Sequence, residues 1–207
     1  MSRRNLLATR NGRFLTFGIL YISEGIPYGF TSIAMVAFMR QQAVSLELIG
    51  TFVAALFLPW AFKWAWAPLI DLIKLDKLGG RKAWIVFCTV MMILTLVVTA
   101  MVDFKENFNL LLAMIVLNNL FCATQDVAID SLAVSNLEVN ERGRANGFMF
   151  GGQYFGIMLG GGGAVAVSGY FGFAAALGYI SALLFINLMF VLFYVRDPQA
   201  DPDAIRQ

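Results

Sequence analysis

The chain has 207 residues, of which 59% are hydrophobic, 14% aromatic and 14% charged, with a mean hydropathy of +0.74 and a formal net charge of +2. Soluble domains carry roughly 45–50% apolar and about 25% charged residues, and a water-facing fold of this size cannot hide so much apolar surface. A soluble globular domain is therefore excluded and a lipid bilayer is required. The basic residues neither dominate nor gather in a stripe with aromatics, so nucleic acid is not an expected partner. Cys88 and Cys122 both sit inside apolar runs, no C-x-x-C pair occurs and histidine is missing altogether. A disulfide scaffold, a metal site and a resident cofactor are unsupported on these residues, and carboxylates remain as the groups able to titrate within a membrane.

A helix needs about 20 apolar residues to cross ~30 Å of hydrocarbon. Six such runs are predicted, over 14–39, 47–67, 83–102, 109–134, 145–169 and 173–195. The first is too long for a signal-peptide core and contains Glu24, so residues 1–13 read as a cytoplasmic lead into a retained span. Short polar segments separate the runs, and none is long enough for a further domain. The stretch after Val195, with Pro198 and Pro202, reads as a polar cytoplasmic tail or the start of a linker. With the N-terminus in the cytoplasm, every lysine and arginine falls inside except Arg40 and Lys105. That asymmetry predicts an even number of spans with both termini cytoplasmic. Trp60, Trp64, Trp66 and Trp84 then fall near the cytoplasmic ends of spans two and three, where indoles favour the interface.

Glu24, Asp126 and Asp130 lie within apolar spans, where insertion scales charge roughly 2.5–3.5 kcal/mol for an ionised aspartate at the centre. Glu24 stands about 16 Å above Arg13 on a rising helix and Asp126 about 12 Å above the end of a descending one. If spans one and four are neighbours, the two carboxyls form one acidic cluster near the middle of the membrane. Asn119, Asp126 and Asp130 repeat at helical spacing along one face that should line water, with Asn118, Cys122 and Gln125 beside it. Glu24, Asn119, Gln125, Asp126 and Asp130 are thus the candidates for proton coupling or for a substrate cavity. Asp130, nearest the cytoplasmic surface, is also open to a simpler role, pairing with an arginine. Pro27, one turn beyond Glu24, removes a backbone donor and predicts a kink, which serves either a cavity or plain packing.

Span five contains Gly152, Gly156 and Gly160 at four-residue spacing, a ridge that lets another helix approach closely. Gly160 to Gly163 form an unbroken glycine run, a candidate bend. No strand precedes the ridge and no Lys-Ser/Thr follows, so a phosphate-cradling loop does not fit.

Between spans two and three, Ala67-Pro68-Leu69-Ile70-Asp71 followed by Gly79-Gly80-Arg81-Lys82 resembles the signature loop of the major facilitator superfamily, with the glycine displaced. That variant loop, together with Ser23-Glu24-Gly25-Ile26-Pro27, Trp66-Ala67-Pro68-Leu69-Ile70-Asp71 and Gln125-Asp126-Val127-Ala128-Ile129-Asp130, resembles AmpG-type permeases and their acetyl-CoA transporter relatives. Glu141-Arg142-Gly143-Arg144-Ala145-Asn146-Gly147 is a further facilitator-like junction. The resemblance implies an all-α integral membrane protein of six transmembrane helices, an N-terminal bundle built as a three-plus-three inverted repeat. It also implies that Asp71, Arg81, Lys82, Glu141, Arg142 and Arg144 are cytoplasmic gate residues, as against simple positive-inside anchors. A proline typical of span five in antiporters is missing, which favours symport.

The resemblance covers one of the family's two bundles, so half a cavity is left open. The expected partners are therefore a small-molecule solute, the bilayer, and a second six-span bundle, either a separate chain or a second copy. The expected function is proton-driven solute transport by alternating access, with anhydro-muropeptide as the substrate the resemblance implies, in the inner membrane if the host is bacterial. Two alternatives stay open. One is a non-transporting remnant or assembly partner of a split carrier. The other is a magnesium-dependent lipid or prenyl transferase using the D-x-x-x-D spacing of Asp126 and Asp130, although the D-G-x-x-A-R element of CDP-alcohol transferases is missing.

Overall fold

A computed structural model describes residues 5–64, 68, 70, 73, 79–102 and 107–197. After a single 3-10 turn at Leu6–Ala8, these residues form six helical rods: α1 (Arg10–Gln41), α2 (Leu46–Ala61), α3 (Arg81–Ala100), α4 (Phe108–Asn136), α5 (Arg142–Phe171) and α6 (Phe173–Tyr194). Local chemistry sets several ends. The Thr9 hydroxyl accepts from the Gly12 N–H at 3.2 Å to open α1, and the Ser45 hydroxyl accepts from Leu48 at 3.3 Å to open α2. Gly172 joins α5 to α6 at φ 87°, a left-handed conformation that a side chain would strain.

All of these rods except α2 are long and apolar enough to cross a membrane. The second predicted run, 47–67, is helical over the 16 residues Leu46–Ala61, a rise of about 24 Å. Residues 65–67 and most of 71–78 lie outside the described residues.

α1 lies along α5 for most of its length, α3 packs between α4 and α6, and α2 leans chiefly on α4. α1 also touches α4, the adjacency on which the expected acidic cluster depended. The core forms two apolar stacks. One gathers Ile26, Phe30, Met92, Cys122, Leu184 and their neighbours, and the other gathers Phe17, Leu20, Ile85, Ile129, Val191 and theirs. Between them runs a belt of buried polar side chains: Ser23 and Glu24 on α1, Thr89 on α3, Gln125 and Asp126 on α4, and Asn187 on α6. Apolar burial fixes the helices above and below this belt, and the belt carries the chemistry.

Two rods change hydrogen-bond register part-way. α1 is π-helical at Phe30–Ala34 and α5 at Met158–Gly163. In α1 the change follows Pro27, which lacks an N–H, and the Thr31 hydroxyl donates to the Pro27 carbonyl at 2.9 Å. In α5 it falls on the glycine run expected to bend. The two segments touch, with the Ile33 side chain against Gly161.

Candidate functional site

Gly152, Gly156 and Gly160 form the seam that fixes α1. A Cβ on Gly152 would stand 3.0 Å from the Gly18 carbonyl carbon, and one on Gly156 would stand 3.0 Å from the Gly25 Cα. A Cβ on Gly160 would come 2.8 Å from the Ile26 Cα. Backbone therefore lies on backbone, as small-residue ridges in membranes permit, and Glu24 is held beside one of the contact points.

Glu24 is 1% exposed, and neither carboxyl oxygen has a hydrogen-bond partner among the described residues. One turn earlier on α1, the Tyr21 hydroxyl donates to Asp130 Oδ1 at 2.6 Å. Asp126 and Asp130, four residues apart on α4, share one cation, the Lys63 ammonium. Lys63 Nζ donates to Asp126 Oδ2 and, at 3.2 Å, to Asp130 Oδ2. Lys63 comes from just beyond the end of α2, its ammonium 5.9 Å above the Trp60 ring. A neighbouring link ties the same two helices: the Trp60 indole donates to Asn119 Oδ1 at 3.4 Å, and Asn119 Nδ2 donates to the Leu56 carbonyl at 2.6 Å.

Above this cluster a cavity of about 440 Å³ opens between α1, α2, α4 and α5. Tyr28, Phe57, Trp60 and Tyr154 give it aromatic walls, and Asn119, Gln153, Thr31 and Ser32 give it hydrogen-bonding groups. Few polar anchors on a mostly apolar wall are the usual make-up of a small-molecule site.

Of the residues singled out from sequence, Glu24, Asp126 and Asp130 lie in one charged neighbourhood, and Asn119 lines the cavity beside it. Gln125 does not join them. Its amide nitrogen donates to the Thr89 hydroxyl and, at 3.3 Å, to the Ile85 carbonyl, so it ties α4 to α3. Asn118 does the same one level away, donating to the Met92 carbonyl and Thr95 Oγ1 at 2.9 Å each. Both lie about 100° round the helix from Asp126 or Asn119, which turns them to the neighbouring rod and away from the cavity. The partner of Asp130 is a lysine and a tyrosine, not the expected arginine. Lys63 and Tyr21 were not foreseen. The available signal for Lys63 was its position as the lone basic residue inside the second apolar run.

Those of the expected gate residues that are described lie at the basic end of the bundle. Glu141 is 2% exposed and accepts from Arg13 Nε at 2.9 Å and Nη2 at 2.6 Å, with Arg10 at 3.6 Å. The Arg13 hydrogen bonds hold the Glu141 carboxyl below its ordinary value of 4.5. The Arg81 backbone N–H donates to Asp197 at 3.0 Å and its Nε to the Ser131 hydroxyl at 2.6 Å, while Lys82 Nζ donates to the Leu192 carbonyl at 2.9 Å. Arg144 lies 5.9 Å from the Phe14 ring centroid, and Arg142 is exposed. Asp71 lies outside the described residues.

Residues 14–207 match the Major Facilitator Superfamily. Among curated relatives, an uncharacterized protein of Haemophilus influenzae is 23% identical over 89% of this chain and 43% of its own length. The AmpG 4 protein of Rickettsia conorii is 24% identical over 74% of this chain and 37% of its own. The anhydromuropeptide permease of Escherichia coli K12 is 24% identical over 78% of this chain and 33% of its own. The chain thus spans less than half the length of these relatives. Its apolar rods make it an integral membrane protein, and the match over nearly its whole length places it in a known family: the chain belongs to the Major Facilitator Superfamily.

Proposed function

We infer that this chain is one six-span half of a proton-coupled solute symporter, alternating access around the cavity between α1, α2, α4 and α5 together with a second bundle. The observation that carries the reading is Glu24, a carboxyl buried without a hydrogen-bond partner among the described residues, beside a lysine shared by two aspartates. Ionisable groups inside a membrane mark ion and substrate pathways, and a carboxyl that gains and loses a proton as its surroundings rearrange can couple a gradient to solute movement. Anhydro-muropeptide is the proposed solute, supported by the similarity to the anhydromuropeptide permease and by aromatic walls with amide and hydroxyl groups suited to a sugar face and a peptide. The proposed location is a bacterial inner membrane with both termini cytoplasmic, supported by the distribution of lysine and arginine.

A magnesium transferase is not favoured, because the carboxylates that would hold the metal converge on the Lys63 ammonium. The test begins with gentle extraction and the mass of the intact complex, so that a second bundle or a second copy travels with the chain. Reconstituted vesicles with an acidic exterior should then accumulate labelled anhydro-muropeptide, and both a protonophore and Glu24→Gln should abolish accumulation. Uptake indifferent to the pH gradient and to both Glu24→Gln and Asp126→Asn would overturn the reading, and the absence of any uptake would favour a non-transporting remnant.

A further inference from the structure

The charges of the polar belt are unequally shared. Among the described residues three carboxyls, Glu24, Asp126 and Asp130, face one ammonium, Lys63, and only the two aspartates touch it. The second Asp130 oxygen is taken by Tyr21. Around Glu24, α4 brings Asp126, Asp130 and Cys122, whose thiol reaches the Glu24 backbone carbonyl at 3.9 Å and not the carboxyl. α1 brings Tyr21 and the end of α2 brings Lys63. α6 has no charged side chain, and α5 has none beyond Arg144. Glu24 is joined to this cluster through Tyr21, one turn before it on α1 and bonded to Asp130, and through Cys122, one turn before Asp126 on α4. A carboxylate in so dry a place is costly without a donor, so Glu24 is neutral in this arrangement.

Lys63 is the movable member. Its side chain is 29% exposed, it ends a flexible four-carbon stem, and it hangs from the rod that leans chiefly on α4. We propose that Lys63 is a positioning residue with two seats, the Asp126–Asp130 pair in this arrangement and the Glu24 carboxylate once Asp126 is neutral. The exchange balances: a proton passes from Glu24 to Asp126 while the ammonium passes from Asp126 to Glu24. Before and after, the cluster holds one ammonium, two carboxylates and one carboxylic acid. In the first state Lys63 ties α2 to α4, and in the second it ties α2 to α1. Proton position thereby selects which helix α2 follows. The proposal deepens the transport reading above and rests on it for its purpose, but its test does not require transport.

A membrane-permeant carbodiimide activates a carboxyl as an O-acylisourea, which a neighbouring amine displaces to form an amide with loss of a urea. Applied to the full chain in its own membranes, it reports by peptide mass spectrometry which carboxyl Lys63 touches. Wild type should give a Lys63–Asp126 amide. Asp126→Asn, which removes the charge and keeps the shape, should give a Lys63–Glu24 amide that wild type lacks, and adding Glu24→Gln should remove it. If the asparagine variant does not accumulate, Asp126→Ser supplies the same neutral site. Absence of the Lys63–Glu24 amide from the neutral-site variant, or its dominance in wild type, overturns the proposal. Failed uptake in the reconstitution experiment with this switch intact would count against transport alone.

Discussion

Gly156→Ala adds one methyl group to the α1–α5 seam. The new carbon would stand 3.0 Å from the Gly25 Cα and 3.1 Å from its carbonyl carbon, and closer still to the Ile22 carbonyl oxygen. Carbon atoms rest at about 3.5–4.0 Å, and each obstacle here is backbone, which no rotamer change can move aside. Overpacking costs about 1–3 kcal/mol, and an immovable wall puts this site near 3. Replacing a helical glycine returns up to about 1 kcal/mol, leaving a net loss of about 2. At roughly 2–4 °C per kcal/mol for a chain of this size, thermal unfolding in detergent should fall by about 4–8 °C. At Gly178, in the second turn of α6, an added Cβ would meet nothing within 4 Å, so Gly178→Ala should keep the propensity gain and raise the midpoint slightly. A Gly156→Ala midpoint at or above wild type would show that the two backbones do not meet as described.

Two further measurements address the ends and the middle of the bundle. The Arg13 hydrogen bonds lower the Glu141 carboxyl in the folded protein, so the folded state binds this proton less readily than the unfolded state. The ion pair's stabilisation is therefore present above the ordinary carboxylate value of 4.5 and is lost as pH falls through the lowered one. Wild type should melt above Glu141→Gln at pH 7, with the gap closing in acid; a gap that widens in acid would refute the assignment. Asn118→Ala removes two hydrogen bonds to α3, and at about 0.6–1.7 kcal/mol for such links in membranes its melting midpoint should fall by a few degrees, whereas no change would mean that the amide does not hold the rods together.

The rods were legible because the bilayer demands long apolar runs, and predicted and observed boundaries agree within a few residues for every rod except α2. The glycine ridge was legible for a related reason: a four-residue period keeps small residues on one stripe, whatever the stripe meets. Its partner was not, since nothing in Gly152, Gly156 or Gly160 specifies Gly18 and Gly25. The polar stripe on α4 was read as one face when it is two. Residues one position apart point about 100° apart, so Asp126 looks toward Lys63 while Gln125 looks toward Thr89. Lys63 was counted with the other basic residues on the cytoplasmic side, because charge counting by loop cannot separate a lysine that snorkels to water from one that turns inward to an aspartate. The paired π segments left only indirect traces, Pro27 in one helix and the glycine run in the other, because a change of hydrogen-bond register has no residue pattern of its own.

Where Gly152, Gly156 and Gly160 meet α1, the seam contains almost no side chain to rearrange, and that gives the bundle a fixed reference. Two backbones in mutual contact neither rotate nor slide without first separating, so α1 and α5 travel as a single beam. Gly25, the residue after Glu24, is part of the contact, so the height of the Glu24 carboxyl is set by the beam. Asp126 and Asp130 ride on a different rod, joined to α3 by amide and hydroxyl links. Any relative displacement of beam and rod therefore appears first as a change in the gap between Glu24 and the aspartates. The seam works as the fixed jaw of a caliper, with the buried charges between its tips.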